Sequence, residues 1–171
     1  MVKVLFVIAH ENFRDEEYFK PKEILEKEGN IVVTASTTRN ICKGMLGKTV
    51  KPDILIGDAI EDNFAALVIV GGSGSQKLWD VSELQELIHE FYDSNKPIAA
   101  ICLATVTLFR SGLMQGKNAT GWQPDAKIEA AQNGVLYADK NIVEDDLFIT
   151  AQGPSNAEEF GRKILKRLNS R

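Results

Sequence analysis

The chain is poor in the residues that bind metals and cross-link small folds. Its 171 residues include two cysteines, Cys42 and Cys102, and two histidines, His10 and His89. No C-x-x-C pair occurs, so neither a structural zinc site nor any other bound metal is expected. In a reducing cytosol a disulfide between cysteines this far apart in the chain is not expected either. Long apolar runs are missing too. Val4–Ala9 is far too short to span a bilayer, and it follows the N-terminus without the basic region and cleavage site of a signal peptide. The expected location is cytoplasmic, with no membrane partner. Neither sign of charge dominates: 20 Lys and Arg stand against 24 Asp and Glu, a net −4, spread along the chain. Without a basic stripe, nucleic acid is not an expected partner. There is no internal repeat and no low-complexity segment. With 44% hydrophobic residues, one domain over residues 1–171 is the natural organisation.

What is present is an alternation of short apolar runs with amphipathic ones. Val4–Ala9, Ile31–Ala35, Leu67–Val70 and Pro97–Ile101 read as buried strands, and Val135–Tyr137 and Leu147–Ala151 as late ones. Helices are expected from about Glu17 to Glu28, stopped by Gly29-Asn30, and from Glu83 to Ser94, opened by a Ser82/Gln85 capping box. Others follow Cys102 as far as Gly112, and Asp125, as a cap, as far as Gln132. The last helix is the clearest: Phe160, Ile164 and Leu168 fall at i, i+4 and i+8. Residues 10–16 read as a polar loop and residues 38–60 as a small hairpin excursion. Strands alternating with helices predict an α/β fold, a mostly parallel sheet covered on both faces.

Cys102 is the residue most able to carry chemistry. It stands between a strand and a helix, where a tight turn presents a side chain at the carboxyl edge of the sheet. Free N–H groups at the helix start favour a thiolate there. Two more segments follow predicted parallel strands: the loop leading to Glu17, and Gly71-Gly72-Ser73-Gly74-Ser75. Together the three supply an acid, main-chain N–H donors and a nucleophile, the minimum for attack on a carbonyl.

These segments resemble the ThiJ/PfpI superfamily, which contains intracellular PfpI-type peptidases and the parkinsonism-associated deglycase. The motifs are Val2–Ala9 with Asp15-Glu16-Glu17-Tyr18-Phe19-Lys20-Pro21, then Val68–Gly72 and Ala99–Cys102, with Gly116–Thr120 and Ile149–Pro154 following in register. The resemblance implies a three-layer α/β/α sandwich of the flavodoxin-like, class I glutamine amidotransferase-like kind. It implies Cys102 as nucleophile and Glu17 as the protonated acid that hydrogen-bonds it. It also implies the N–H groups of Gly72 and Leu103 as oxyanion donors, no cofactor, and assembly into homodimers or larger homo-oligomers.

Two departures refine that expectation. Peptidases of the group carry histidine directly after the cysteine; here Leu103 stands there and cannot move a proton. Trp122 stands where relatives often have His or Tyr. The expected reaction is therefore glyoxalase III-like or deglycase-like, on small reactive carbonyls. A peptide-cleaving enzyme, an oxidative-stress sensor working through Cys102, and a silent scaffold are the alternatives. His10, Gly71 and Trp122 are expected to line the site, with His10 a candidate for the missing base. Plainer readings exist: His10 as a solvated loop residue, Trp122 as packing, Glu17 as a helix-start acid, Cys42 as an incidental core thiol and His89 as surface. The glycine-rich loop lacks the Lys-Ser/Thr of a phosphate-binding loop, and Ser73 and Ser75 lack a histidine at motif spacing.

Overall fold

The computed structural model describes residues 1–170. In chain order the first half contains β1 (Lys3–Val7), β2 (Glu11–Phe13), α1 (Asp15–Lys27), β3 (Ile31–Ser36), β4 (Cys42–Gly44), β5 (Thr49–Val50), β6 (Ile54–Leu55) and β7 (Ala66–Ile69). The second half contains α2 (Ser82–Asp93), β8 (Ile98–Ile101), α3 (Thr105–Arg110), β9 (Asn118–Ala119), α4 (Asp125–Gln132), β10 (Leu136–Tyr137), β11 (Ile142–Asp145), β12 (Phe148–Ala151) and α5 (Ala157–Asn169).

Seven strands form the main sheet in the order β11-β12-β8-β7-β1-β3-β6. All pairs are parallel except β11 against β12. Alternation along the strands explains the two covered faces. Leu5 and Val7 of β1 join Leu67, Ile69, Ile98 and Ala100 in a cluster closed by α2, α3 and α4. Val4 and Phe6 turn the other way, to Val68, Ala99 and Ile101, under Tyr18 and Leu25 of α1 and Phe160 and Ile164 of α5. A side chain at Gly161 would press on the Pro21 main chain at 2.8 Å, so glycine lets α5 lie close on α1. The result is the expected three-layer, flavodoxin-like sandwich. Strand order reverses between β1 and β7, and the crevice at the carboxyl ends of such strands is where open α/β sheets hold ligands.

Several local expectations are corrected. The loop expected at residues 10–16 contains β2, paired in parallel with β4. The excursion at 38–60 does hold a hairpin, β4 against β5, but its last part, β6, joins β3 as the sheet edge. Helix α1 begins at Asp15, before the expected Glu17, after an extended Arg14. No Ser82/Gln85 box forms: Val81 is the N-cap of α2, and the Gln85 amide donates to Trp79 O and Thr107 O, both at 3.0 Å. Asp125 is the first helical residue of α4 and Pro124 its N-cap. β10 leaves the main sheet to pair with β9, and β11 is a strand that the sequence pattern does not announce.

Candidate active site

The nucleophile candidate occupies a strained turn. β8 ends at Ile101, and Cys102 has φ 62°, left-handed territory that costs an L-residue about 1 kcal/mol or more. A short 3-10 turn over Cys102–Ala104 separates it from α3, so the helix starts later than expected. Three bonds hold this geometry. Thr105 Oγ1 and the Trp122 N–H both donate to the Cys102 carbonyl, at 2.9 and 3.3 Å. The Trp79 indole N–H donates to the Leu103 carbonyl at 2.8 Å.

Glu17 reaches the same point from the first turn of α1, fully buried. Gly71, at the end of β7, marks the convergence. A Cβ there would collide with Glu17 Oε2 and lie 2.5 Å from Ile101 O and 2.7 Å from Cys102 Cβ, so only glycine fits. Gly72 has φ 101°, and a Cβ on it would strike the main chain of Asn12 and Arg14. The Arg14 N–H donates to Gly71 O at 2.9 Å and locks the approach to α1 onto this loop. Four expected site residues, Cys102, Glu17, Gly71 and Gly72, therefore meet in space, and Leu103 follows in the turn.

Burial governs the charges. Neither oxygen of the Glu17 carboxyl has a partner of ordinary hydrogen-bond geometry. Desolvation pushes its pKa up to about 8, against smaller lowering effects of the Cys102 thiol, the Gly71 N–H and the Arg14 guanidinium. Desolvation also pushes the Cys102 thiol well above its ordinary range, and a charged Glu17 pushes it further; the N–H groups of Gly72 and Leu103 oppose both. This corrects the expectation of an open sulfur, and burial works against its ionisation. Cys102 is only 6% exposed, and losing hydration outweighs two main-chain donors. Both shifts favour the protonated forms of the pair.

The remaining candidates sit farther out. His10 is exposed, and its carbonyl accepts from Lys43 N at 2.9 Å. Trp122 lies against the Cys102 turn through its main chain, and the residue is 46% exposed. Arg14 is a site residue that the sequence reading passes over. It is the cation felt by both Cys102 and Glu17, held in place by two bonds to Glu16 at 2.7 and 3.2 Å. Its signal in the sequence is a single basic residue opening the acidic run Asp15-Glu16-Glu17. Among the described residues no group of three or more His, Cys, Asp or Glu side chains is placed to hold a metal ion. No described helix is long and apolar enough to cross a membrane.

Comparison with known proteins shows the family and the fold. The model of the DJ-1/PfpI family matches residues 2–167. An uncharacterized protein of Methanocaldococcus jannaschii is 44% identical over 168 residues, covering 97% of this chain and 82% of its own. A protein of Pyrococcus horikoshii named as a deglycase is 29% identical, covering 98% of this chain and 99% of its own. Among solved structures, a ThiJ/PfpI domain protein from Brachyspira murdochii superposes with a TM-score of 0.95 at 30% identity, over 99% of this chain and 97% of its own. A chain matched from end to end in sequence, and in fold at that level, belongs to the DJ-1/PfpI family.

Proposed function

We propose that the protein is a cofactor-independent enzyme that adds the Cys102 thiol to small reactive carbonyl compounds, in a glyoxalase III-like or deglycase-like reaction. The observation that carries this is the buried, otherwise unpartnered carboxyl of Glu17 set against Cys102 on a strained turn. A neutral acid beside a neutral thiol suits addition without building charge in a dry site. The sulfur forms its bond to the carbonyl carbon as the C–O π pair moves to oxygen. The thiol proton passes to one oxygen of Glu17 while the proton already on the carboxyl passes to the new alkoxide. The product is a neutral hemithioacetal, and Glu17 ends as it began. The N–H groups of Gly72 and Leu103, already turned toward the sulfur, stabilise the partial charge on oxygen as it develops.

The deglycase name of the Pyrococcus horikoshii relative points the same way. Burial that opposes ionisation of the sulfur favours this reading over a peroxide sensor, which needs a thiolate. Buried Leu103 leaves no proton carrier directly after the nucleophile, which favours it over a peptidase.

The test is methylglyoxal consumption by the wild-type protein and by Cys102→Ser and Glu17→Gln, with circular dichroism to confirm the fold. Loss of turnover in Cys102→Ser and a fall of about 10²–10⁴-fold in Glu17→Gln are expected. A Cys102→Ser protein as active as wild type overturns the proposal. Peptide cleavage that disappears in the same variant would move the function to the peptidase branch.

A further inference from the structure

A small cavity of about 180 Å³ lies beside the Cys102 turn, lined by Trp122, Gln123, Gln152, Gly153, Ser155 and Asn156. Two loops build it. One follows β9 and carries Trp122, whose N–H donates to the Cys102 carbonyl at 3.3 Å. The other follows β12, which pairs directly with β8, the strand that ends at the nucleophile. The cavity therefore flanks the main chain of the Cys102 turn on the β12 side of the sheet edge.

Its lining carries no charged side chain. One wall is an indole ring. A Cβ on Gly153 would sit 2.8 Å from Trp122 Cε3 and Cζ3, so the glycine lets the ring lie against the main chain while much of it stays open to solvent. Every polar side chain in the lining is neutral: three amides and a hydroxyl. Gln152 donates its Nε2 to Asp139 at 2.7 Å, which leaves its carbonyl oxygen as the atom free to accept. The cation felt at Cys102, Arg14, comes from the β1 side and is tied to Glu16. A carboxylate entering on the β12 side would give up its water and meet no cation in the lining. A neutral compound with hydroxyl groups would lay its C–H face on the indole and exchange hydrogen bonds with the amides.

We propose that this cavity is the substrate subsite, and that Trp122 and Gln152 select neutral, hydroxyl-bearing carbonyl compounds (short hydroxyaldehydes and hydroxyketones) over carboxylate-bearing ones of the same size. The assignment rests on Cys102 as the nucleophile, but its test does not require turnover.

Dihydroxyacetone and pyruvate, both three-carbon ketones, are titrated into the full-length Cys102→Ala protein, which cannot form the covalent adduct, with binding read by ligand-observed NMR. Tighter binding of dihydroxyacetone by about tenfold or more is expected. Trp122→Ala should erase that preference, and Gln152→Arg, which installs a cation, should reverse it. Equal binding of the two ketones, no binding of either, or a preference unchanged by both substitutions overturns the subsite. If the binding pattern holds while wild-type protein consumes no carbonyl compound, the subsite stands and the proposed reaction falls.

Discussion

Glu17 makes its environment measurable through pH. In the unfolded chain it titrates near the ordinary 4.5, and in the folded protein near 8. Between those values the native state keeps a proton that the unfolded chain has lost. Stability therefore falls as pH rises through that window and levels off above it. Every tenfold difference in proton affinity between the two states corresponds to about 1.4 kcal/mol, so the loss amounts to a few kcal/mol. Cys102 is also raised, but from 9.0, so its contribution starts above the window. Glu17→Gln has no proton to keep. Urea midpoints at pH 4.5 and pH 8 should show the variant gaining on wild type by that amount as pH rises. A difference that stays constant with pH would mean that the carboxyl is hydrated and ionised, and the proton shuttle would go with it.

At the scale of elements, Asp15 decides how the excursion hairpin is held. Its buried carboxylate accepts the N–H groups of Leu46 at 2.9 Å and Lys48 at 3.0 Å, and Gly44 leaves it the room to do so. Asp15→Ala should cost about 2 kcal/mol, because two donors lose their acceptor. Amide exchange should quicken first at Leu46 and Lys48; uniform acceleration across the chain would instead indicate a general loss of packing. Asp15 also shows where sequence reading stops. Long periodic segments such as Phe160–Leu168, and the apolar runs of β1, β3, β7 and β8, declare themselves because burial repeats along them. Two-residue strands such as β5, β6 and β9 contain no period, and their pairing is set by distant partners. The start of α1 departs from the local pattern because Asp15 answers to a hairpin some thirty positions away, which no local pattern records. Cys102, Glu17 and Gly71 are legible as a group because each follows a parallel strand, and parallel strands end on one edge. The charge state of Cys102 is not legible that way, since it depends on how completely the turn is enclosed.

For the whole molecule, the hairpin joins the site to a surface. Ile41 is 60% exposed, Leu46 61% and Met45 41%, all on or beside the β4–β5 hairpin. Single exposed apolar residues are ordinary, but three on one short hairpin are where we expect a second copy of the chain to pack. Met45 also faces inward. Its N–H donates to Phe13 O at 2.8 Å, and its Sδ accepts from Ser73 N–H at 3.5 Å, one residue after the Gly72 donor. A partner packed on the hairpin would therefore steady the loop that presents Gly72 to Cys102. We expect the wild-type protein to sediment as a homodimer or larger homo-oligomer. Leu46→Glu should drive it toward single chains and lower methylglyoxal turnover together, because the patch and the loop share Met45. A wild-type protein that sediments as one chain ends the case for assembly. Dissociation in Leu46→Glu with full turnover would separate assembly from the chemistry and show that bonds within one chain suffice to hold the Gly72 loop: Arg14 N–H to Gly71 O at 2.9 Å, Ser75 Oγ to Gly72 O at 2.7 Å and Ser73 N–H to Met45 Sδ at 3.5 Å.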